Sequence, residues 1–441
     1  MKQSIFLILS IVLFFTSCSD DNDNAYKTFP VTVQLTYPSD SELTAVEGVA
    51  VKLTGSSGTT YDAVTDANGK ADFTVPIGIY EASASEQRAL DGYSYILNGI
   101  KSGITVTDTW TGEDVVDVTL TESKSGQVII KELYVGGCSK DDGSGNYQFD
   151  KYVILYNNSA QTATLENFCL GIANPANSYS GTNDYVDGVL SYANDNYIPA
   201  GCAIWYLPTD LAIESGKQVV IALNGAINHT LTYSNSVDLS HADYCTYDIE
   251  DFSHTSYYPS PSEAIPTSHY FSAYKYGSGT GWTLSNNSPA FFIFSPRDVT
   301  PEAFASNPDY HYIGSGNEGK AAWRCAKVPT DWILDGIEIY SEANVAKSHK
   351  RLTPVIDAGY TLLTNYQGHT SYRNVDKEAT EAIEGNSDKL VYGYAYGTDG
   401  STDPSGIDAE ASIKNGARII YMDTNNSTND FHQRSQSSLR D

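Results

Sequence analysis

Basic residues are scarce. The 441 residues include 26 Lys or Arg against 54 Asp or Glu, a formal net charge of −28. That balance excludes a nucleic-acid binder, whose phosphate contacts need a basic face. Only 2 Met stand beside 33 Tyr, and helix-forming composition is confined to pieces such as KEATEAIE at residues 377–384, so a helical bundle is a poor starting point. Beyond the first fifteen residues no apolar run approaches the ~18 that a membrane-spanning helix needs, so the body of the chain is expected to be soluble. No CxxC occurs, which leaves zinc-ribbon and thioredoxin-like readings without support. Neither GxSxG nor HExxH is present, so serine and zinc hydrolases lack their usual starting point. GSGNEGKA (314–321) approaches a phosphate-binding loop, but Ala321 stands where Ser or Thr should hold magnesium. No cofactor is expected.

What is present is aromatic and turn-rich. Hydrophobic residues make up 41% and aromatic residues 12% of the chain, with 35 Gly. This is the composition of short aromatic strands joined by turns. The fold class expected is all-β with little helix, and the length is a prior for two or three domains.

Residues 1–17 read as a signal peptide: Lys2, then the apolar run IFLILSIVLFF (5–15), too short to span a bilayer. FTSC (15–18) follows and resembles the lipobox of bacterial lipoproteins, which implies lipidation of Cys18. Ser19, Asp20, Asp21 and Asp23 come directly after it. A Ser and acid cluster in that place resembles the surface-export signal of Bacteroidetes lipoproteins, and residues 18–28 also read as a solvated tether. The implied location is the outer membrane, lipid-anchored through acylated Cys18 and facing the exterior. Past Cys18 stand Cys138, Cys169, Cys202, Cys245 and Cys325. An odd number cannot all pair, and the apolar settings of Cys169 and Cys202 suit small core residues.

Residues 29–122 show alternating strands: VTVQLTY (31–37), VAVKLTG (49–55), ADFTVP (71–76), IYEASA (79–84) and VVDVTLT (115–121). The alternation predicts one buried and one wet face. Asn68 and Gly69 in TDANGKADF predict a tight hairpin, and turn chemistry accounts for Asp66, Asn68 and Asp72 better than calcium ligation does. GVAVKL, TDANGKADF and PIGIYEA together resemble the transthyretin-like repeat of carboxypeptidase regulatory domains. That resemblance implies a β-sandwich without catalytic residues.

Residues 127–435 form a second expected unit. VIIKELYVGG (128–137), KYVILYNNS (151–159), IESGKQVVIAL (213–223), GWTLSNNSPAFFIFS (281–295) and ARIIYMDTNNSTNDF (417–431) resemble, in order and wording, the landmarks of a lamin-tail domain. The resemblance implies an immunoglobulin-like sandwich, so two β-sandwich domains are expected in all. The chain departs from the pattern at Tyr152, Val153 and Ile154, and at Asn167 and Phe168. Long insertions are read at about 172–196, 225–280, 296–330 and 373–416. The first three are placed to gather at the end of a sandwich where its loops cluster.

The insertion at 225–280 is the most unusual segment, with four His and many Tyr. His241, His254, His269, Tyr257 and Tyr258 are the candidate ligand-binding residues, for a metal, a metal chelate or a glycan. The competing reading is a Tyr-rich folded loop whose polar groups cap one another, and the His spacing matches no compact metal site. No catalytic residue is nominated. The function expected is a surface-anchored binding or scaffold module, accessory to an outer-membrane nutrient or metal-chelate uptake system, with a TonB-dependent transporter or another surface protein as partner. The alternative is a hydrolase of an extracellular polymer with its site in the insertions. A pocket joining insertions around a buried acid pair would favour catalysis, and a Tyr-lined surface would favour binding.

Overall fold

The computed structural model describes residues 27–440 apart from 40, 42, 46, 57, 91–92, 113–114, 126, 181–184, 187–188, 315 and 394–402. Cys18, Ser19, Asp20, Asp21 and Asp23 therefore lie outside the described residues. Two compact units emerge: Met1–Thr36 with Ala45–Ser83 and Ile100–Val118, and Tyr37–Thr44 with Ala84–Gly99 and Thr119–Asp441. The protein is mostly β, and its helices are short: Pro301–Ser306, Lys377–Glu381, Ala409–Lys414 and Ser427–Asp430.

The N-terminal strands behave as their alternation predicts. Thr28–Thr36 pairs antiparallel with Lys70–Pro76, and Val115–Thr119 completes a three-stranded sheet. Every second residue points inward, burying Val31, Val33, Leu35, Ala71, Phe73, Val75 and Val118. A five-stranded sheet runs in the order Thr60–Val64, Ala50–Gly55, Gly78–Leu90, Tyr93–Val106, Thr121–Ser125. The TDANG turn differs from the expected hairpin. It carries the chain from the five-stranded sheet to the three-stranded one, and only Gly69, at φ 78°, takes a positive φ. The Asp66 side chain builds the turn, accepting from the backbone N–H of Asn68 and of Lys70, each at 2.9 Å. The Lys70 bond in particular holds its carboxyl below the usual carboxylate range.

In the second unit a single twelve-stranded sheet stands where the separate layers of a sandwich were expected. Its order is Thr361–Leu363, Ile333–Ser341, Ala290–Phe294, Cys169–Ile172, Ala203–Tyr206, Tyr270–Lys275, Tyr244–Thr246, Gln218–Ala222, Tyr152–Asn157, Val128–Tyr134, Thr370–Arg373, Phe431–Arg434. The two edge strands come together, and Thr364 N donates to Gln433 Oε1 beside the seam. The sheet is thus nearly closed and barrel-like. Its strands read as unbroken apolar runs because both faces are covered. Along AFFIF, Phe291 and Ile293 join the core inside the sheet with Trp205, Leu170 and Val153, whereas Phe292 and Phe294 pack outward with Ile204, Phe304 and Trp332. The outer layers are the loops and short helices of the long inter-strand segments. The piece 417–426, most of the last lamin-tail-like landmark, is covering chain with one isolated bridge at Tyr421, and the strand begins at Phe431.

Gly171 shows how tightly this wall is packed. It sits opposite Phe292, whose ring Cζ would lie 2.4 Å from an added Cβ. Gly171→Ala is expected to lower the unfolding free energy by about 1–3 kcal/mol. Urea denaturation measures this, and an unchanged midpoint would refute the close approach.

Candidate functional site

A cleft of about 460 Å³ opens in the second unit, within the ~300–1,000 Å³ usual for small-molecule sites. Three of the long segments converge on it. Ala173, Asn174 and Ala176 come from the chain after Cys169–Ile172, Ser278 from the end of the Tyr-rich segment, and Ala322 to Cys325 from the start of the strand Arg324–Pro329. Gly201 and Cys202, between the strands Tyr197–Ala200 and Ala203–Tyr206, and residues 281–283 complete the lining.

Local bonding fixes each wall. Asn174 N donates to Pro199 O at 2.9 Å, and Gly201 N to Ile172 O at 2.8 Å. Ser278 is tied to Ala322 O through both its N–H, at 3.2 Å, and its hydroxyl, at 3.0 Å. Gly277 must be glycine, because an added Cβ would lie 2.9 Å from both Arg324 O and the Cys202 Cα. Behind the Asn174 wall, buried Glu338 accepts from Arg351 Nε at 2.9 Å, and Arg351 Nη1 donates to Pro175 O at 2.9 Å. Burial alone would raise the Glu338 carboxyl, but Lys350 and Arg351 outweigh it and hold the group below its ordinary value.

The 281–283 wall rests on a second polar layer. The Tyr258 hydroxyl donates to Trp282 O at 2.5 Å and accepts from Trp282 N at 3.1 Å. Lys151 Nζ donates to Thr283 Oγ1 at 3.1 Å and to Leu284 O. Lys151 has no carboxylate in ion-pair range among the described residues, and burial pulls its ammonium down to about 7. Trp282 is buried, and its indole Nε1 finds no hydrogen-bond partner among the described residues. Trp323 is the reverse, 59% exposed at the cleft.

Chemically the lining is apolar, aromatic and neutral polar with little charge. Arg324 is its one charged side chain among the described residues, and it contains no Asp, Glu or His. Burial pushes the Cys202 thiol up, which keeps it protonated and weakly nucleophilic. All five described cysteines are free thiols, four buried and Cys202 half-buried.

The sequence-nominated residues divide. Tyr258 braces Trp282 from behind, and Tyr257 and His254 pack against Gly281, whose added Cβ would meet Tyr257 Cδ2 at 3.2 Å and the His254 Cβ at 3.8 Å. These three thus back the cleft wall. His269 instead bonds through Nδ1 to Asp243 O at 2.8 Å and stacks on Tyr244 with centroids 4.6 Å apart. His241 is exposed two residues before Asp243. The described residues hold no group of three His, Cys, Asp or Glu placed to bind a metal ion. Sequence reasoning passed over Asn174, Trp323, Arg324 and Lys151. The one local signal was a tryptophan beside an arginine, shortly after the near-match to a phosphate loop.

The family profile described as a protein of unknown function, DUF4876, matches residues 214–438, just over half of the chain. The chain belongs to the DUF4876 family. A solved DUF4876 family protein from Bacteroides thetaiotaomicron is similar, with a TM-score of 0.55, 20% identity, and 93% of this chain and 97% of that chain covered. At that identity the likeness speaks for the fold alone. A DUF3823 family protein from Parabacteroides merdae reaches a TM-score of 0.15 at 10% identity, over 42% of this chain and 92% of its own. No curated protein matches the chain. The profile of the DUF4876 family spans the Tyr-rich segment, Trp282 and the Trp323–Arg324 pair, so most of the cleft lies inside the matched region.

Proposed function

We propose that the chain is a surface-anchored lipoprotein whose cleft binds a small nutrient molecule for an outer-membrane uptake system. The observation that carries this reading is a cleft with an exposed indole, neutral polar side chains from Asn174, Ser278 and Thr283, one arginine, and no carboxylate or imidazole. Such a lining offers a ring face and hydrogen bonds but no acid and base pair. It therefore gives no support to the hydrolase alternative. The anchor through Cys18, the export role of Ser19, Asp20, Asp21 and Asp23, and the TonB-dependent transporter as partner belong to this proposal. So do the transthyretin-like identity of residues 29–122 and the lamin-tail-like identity of residues 127–435.

One experiment with two arms tests it. In cells, Cys18→Ser is expected to move the protein from the membrane to the soluble fraction, and retention in the membrane would refute the anchor. In vitro, the domain from Asp20 onward is titrated with a panel of mono- and disaccharides, following the heat of binding by calorimetry. Trp323→Ala should abolish the response while shifting stability by no more than about 0.5 kcal/mol, since the side chain is exposed. Equal responses from wild type and variant would sink the cleft reading.

A further inference from the structure

Arg324 stands apart from the best-buried arginines of this chain. Arg351 and Arg373 are each locked to carboxylates, whereas Arg324 has no acidic partner among the described residues. Its guanidinium makes a single long bond there, Nη1 to Tyr276 O at 3.4 Å. In a protein with 54 acids and 26 bases, a half-buried cation without a counter-ion is costly unless something supplies the charge. A guanidinium presents five donors in a planar fork suited to a carboxylate or a sulfate. Trp323, its neighbour in sequence, exposes an aromatic face beside it. Asn174, Ser278 and Thr283 add neutral donors and acceptors around the same space.

We propose that the cleft takes an acidic sugar, a ring carrying one carboxylate or sulfate, with the anion on Arg324 and a ring face on Trp323. This rests on the binding-cleft reading above and names its ligand class. Hydroxyl groups account for the neutral polar lining, the ring for the exposed indole, and the single negative charge for the one guanidinium of the lining. A neutral sugar would leave Arg324 uncompensated. A polyanion would meet only one cation and the repulsion of a −28 chain.

The test uses the chain from Asp20 onward, as wild type, Arg324→Gln and Trp323→Ala, titrated by calorimetry with glucuronate, glucose 6-sulfate and glucose. At least one acidic sugar is expected to bind tenfold or more tighter than glucose, and the tighter of the two identifies the anion as carboxylate or sulfate. Arg324→Gln should bring the acidic sugars to the level of glucose without changing glucose itself, and its thermal midpoint should be no lower than that of wild type. Equal binding of glucose and both acidic sugars, unmoved by Arg324→Gln but lost in Trp323→Ala, would overturn the acidic ligand and leave the cleft reading standing. Binding that neither substitution alters would overturn both, as would a wild type that binds none of the three sugars and nothing in the wider panel.

Discussion

Arg373→Met is expected to cost about 3–5 kcal/mol of stability, because it strands buried carboxylates without their cation. Arg373 ends the strand Thr370–Arg373 and is fully buried. Its Nε donates to Ile130 O at 2.7 Å, its Nη1 to Met422 O at 2.9 Å and to Asp423 Oδ1 at 3.1 Å, and its Nη2 to Asp335 Oδ2. Asp430 Oδ2 lies 3.8 Å away. One guanidinium thus ties three buried acids from two distant stretches to the strand Val128–Tyr134. Burial pushes Asp335 up to about 7 and Asp430 up to about 6, with Arg373 opposing the shift and Asp423 adding to it. Three acids share one positive charge, so the site retains protons well above the usual carboxylate range.

The direction with pH follows from where the protons sit. Between an unfolded value near 3.8 and a folded value near 7, the native state holds a proton on Asp335 that the unfolded chain has released. The stability that this proton confers is complete below pH 4 and is lost as pH rises toward 7. The slope is about 1.4 kcal/mol per pH unit per proton. Urea unfolding from pH 4 to 8 should therefore show the penalty of Arg373→Met growing with pH, since the stranded acids are neutral at the low end. A penalty under 1 kcal/mol at pH 7.5 would show that the cluster does not hold the sheet together.

Lys151→Met is expected to stabilise the protein by about 1–4 kcal/mol at pH 6, as replacement of a buried charge by an apolar chain often does. With its folded value near 7 and its unfolded value near 10.5, the unfolded chain binds the extra proton between these limits. Wild-type stability should rise with pH through that window. The variant lacks this rise. Near pH 10 the lysine is neutral when folded, and the variant then retains only the loss of the bonds to Thr283 and Leu284, about 1–3 kcal/mol if those groups stay unpaired. The two stability curves should cross. Because Thr283 lines the cleft, the same substitution should weaken any ligand that touches that wall, and unchanged affinity would remove Lys151 from the support of the site. Parallel curves would mean that the amine is charged in both states.

The sequence spoke most clearly where structure is local. Alternation over the N-terminal strands maps onto the buried residues Val31, Val33 and Leu35, and the helix composition at 377–384 appears as Lys377–Glu381 capped by Asp376. Thr300 followed by Pro301 was an equally legible start signal for Pro301–Ser306, although it went unread. The curled sheet was not legible, because its pairings join remote segments. Cys169–Ile172 lies against Ala290–Phe294, and Gln218–Ala222 runs parallel to Tyr244–Thr246. The site followed the same logic. His254, Tyr257 and Tyr258 were singled out by composition and lie behind the cleft wall, while Trp323 and Arg324 acquire meaning only when three separated segments fold to one place.

The order of the sheet also bears on how the chain matures. Val128–Tyr134 is flanked by Tyr152–Asn157 on one side and by Thr370–Arg373 on the other, with Phe431–Arg434 beyond. Its Glu132 accepts from Ser438 N at 3.1 Å. The other pairings of the sheet span shorter stretches of chain, whereas this strand waits for partners more than two hundred residues downstream. Contacts of such separation form late and slowly. A polypeptide that cannot close this sheet until strands past residue 370 arrive stays open during synthesis, which would suit the export proposed above.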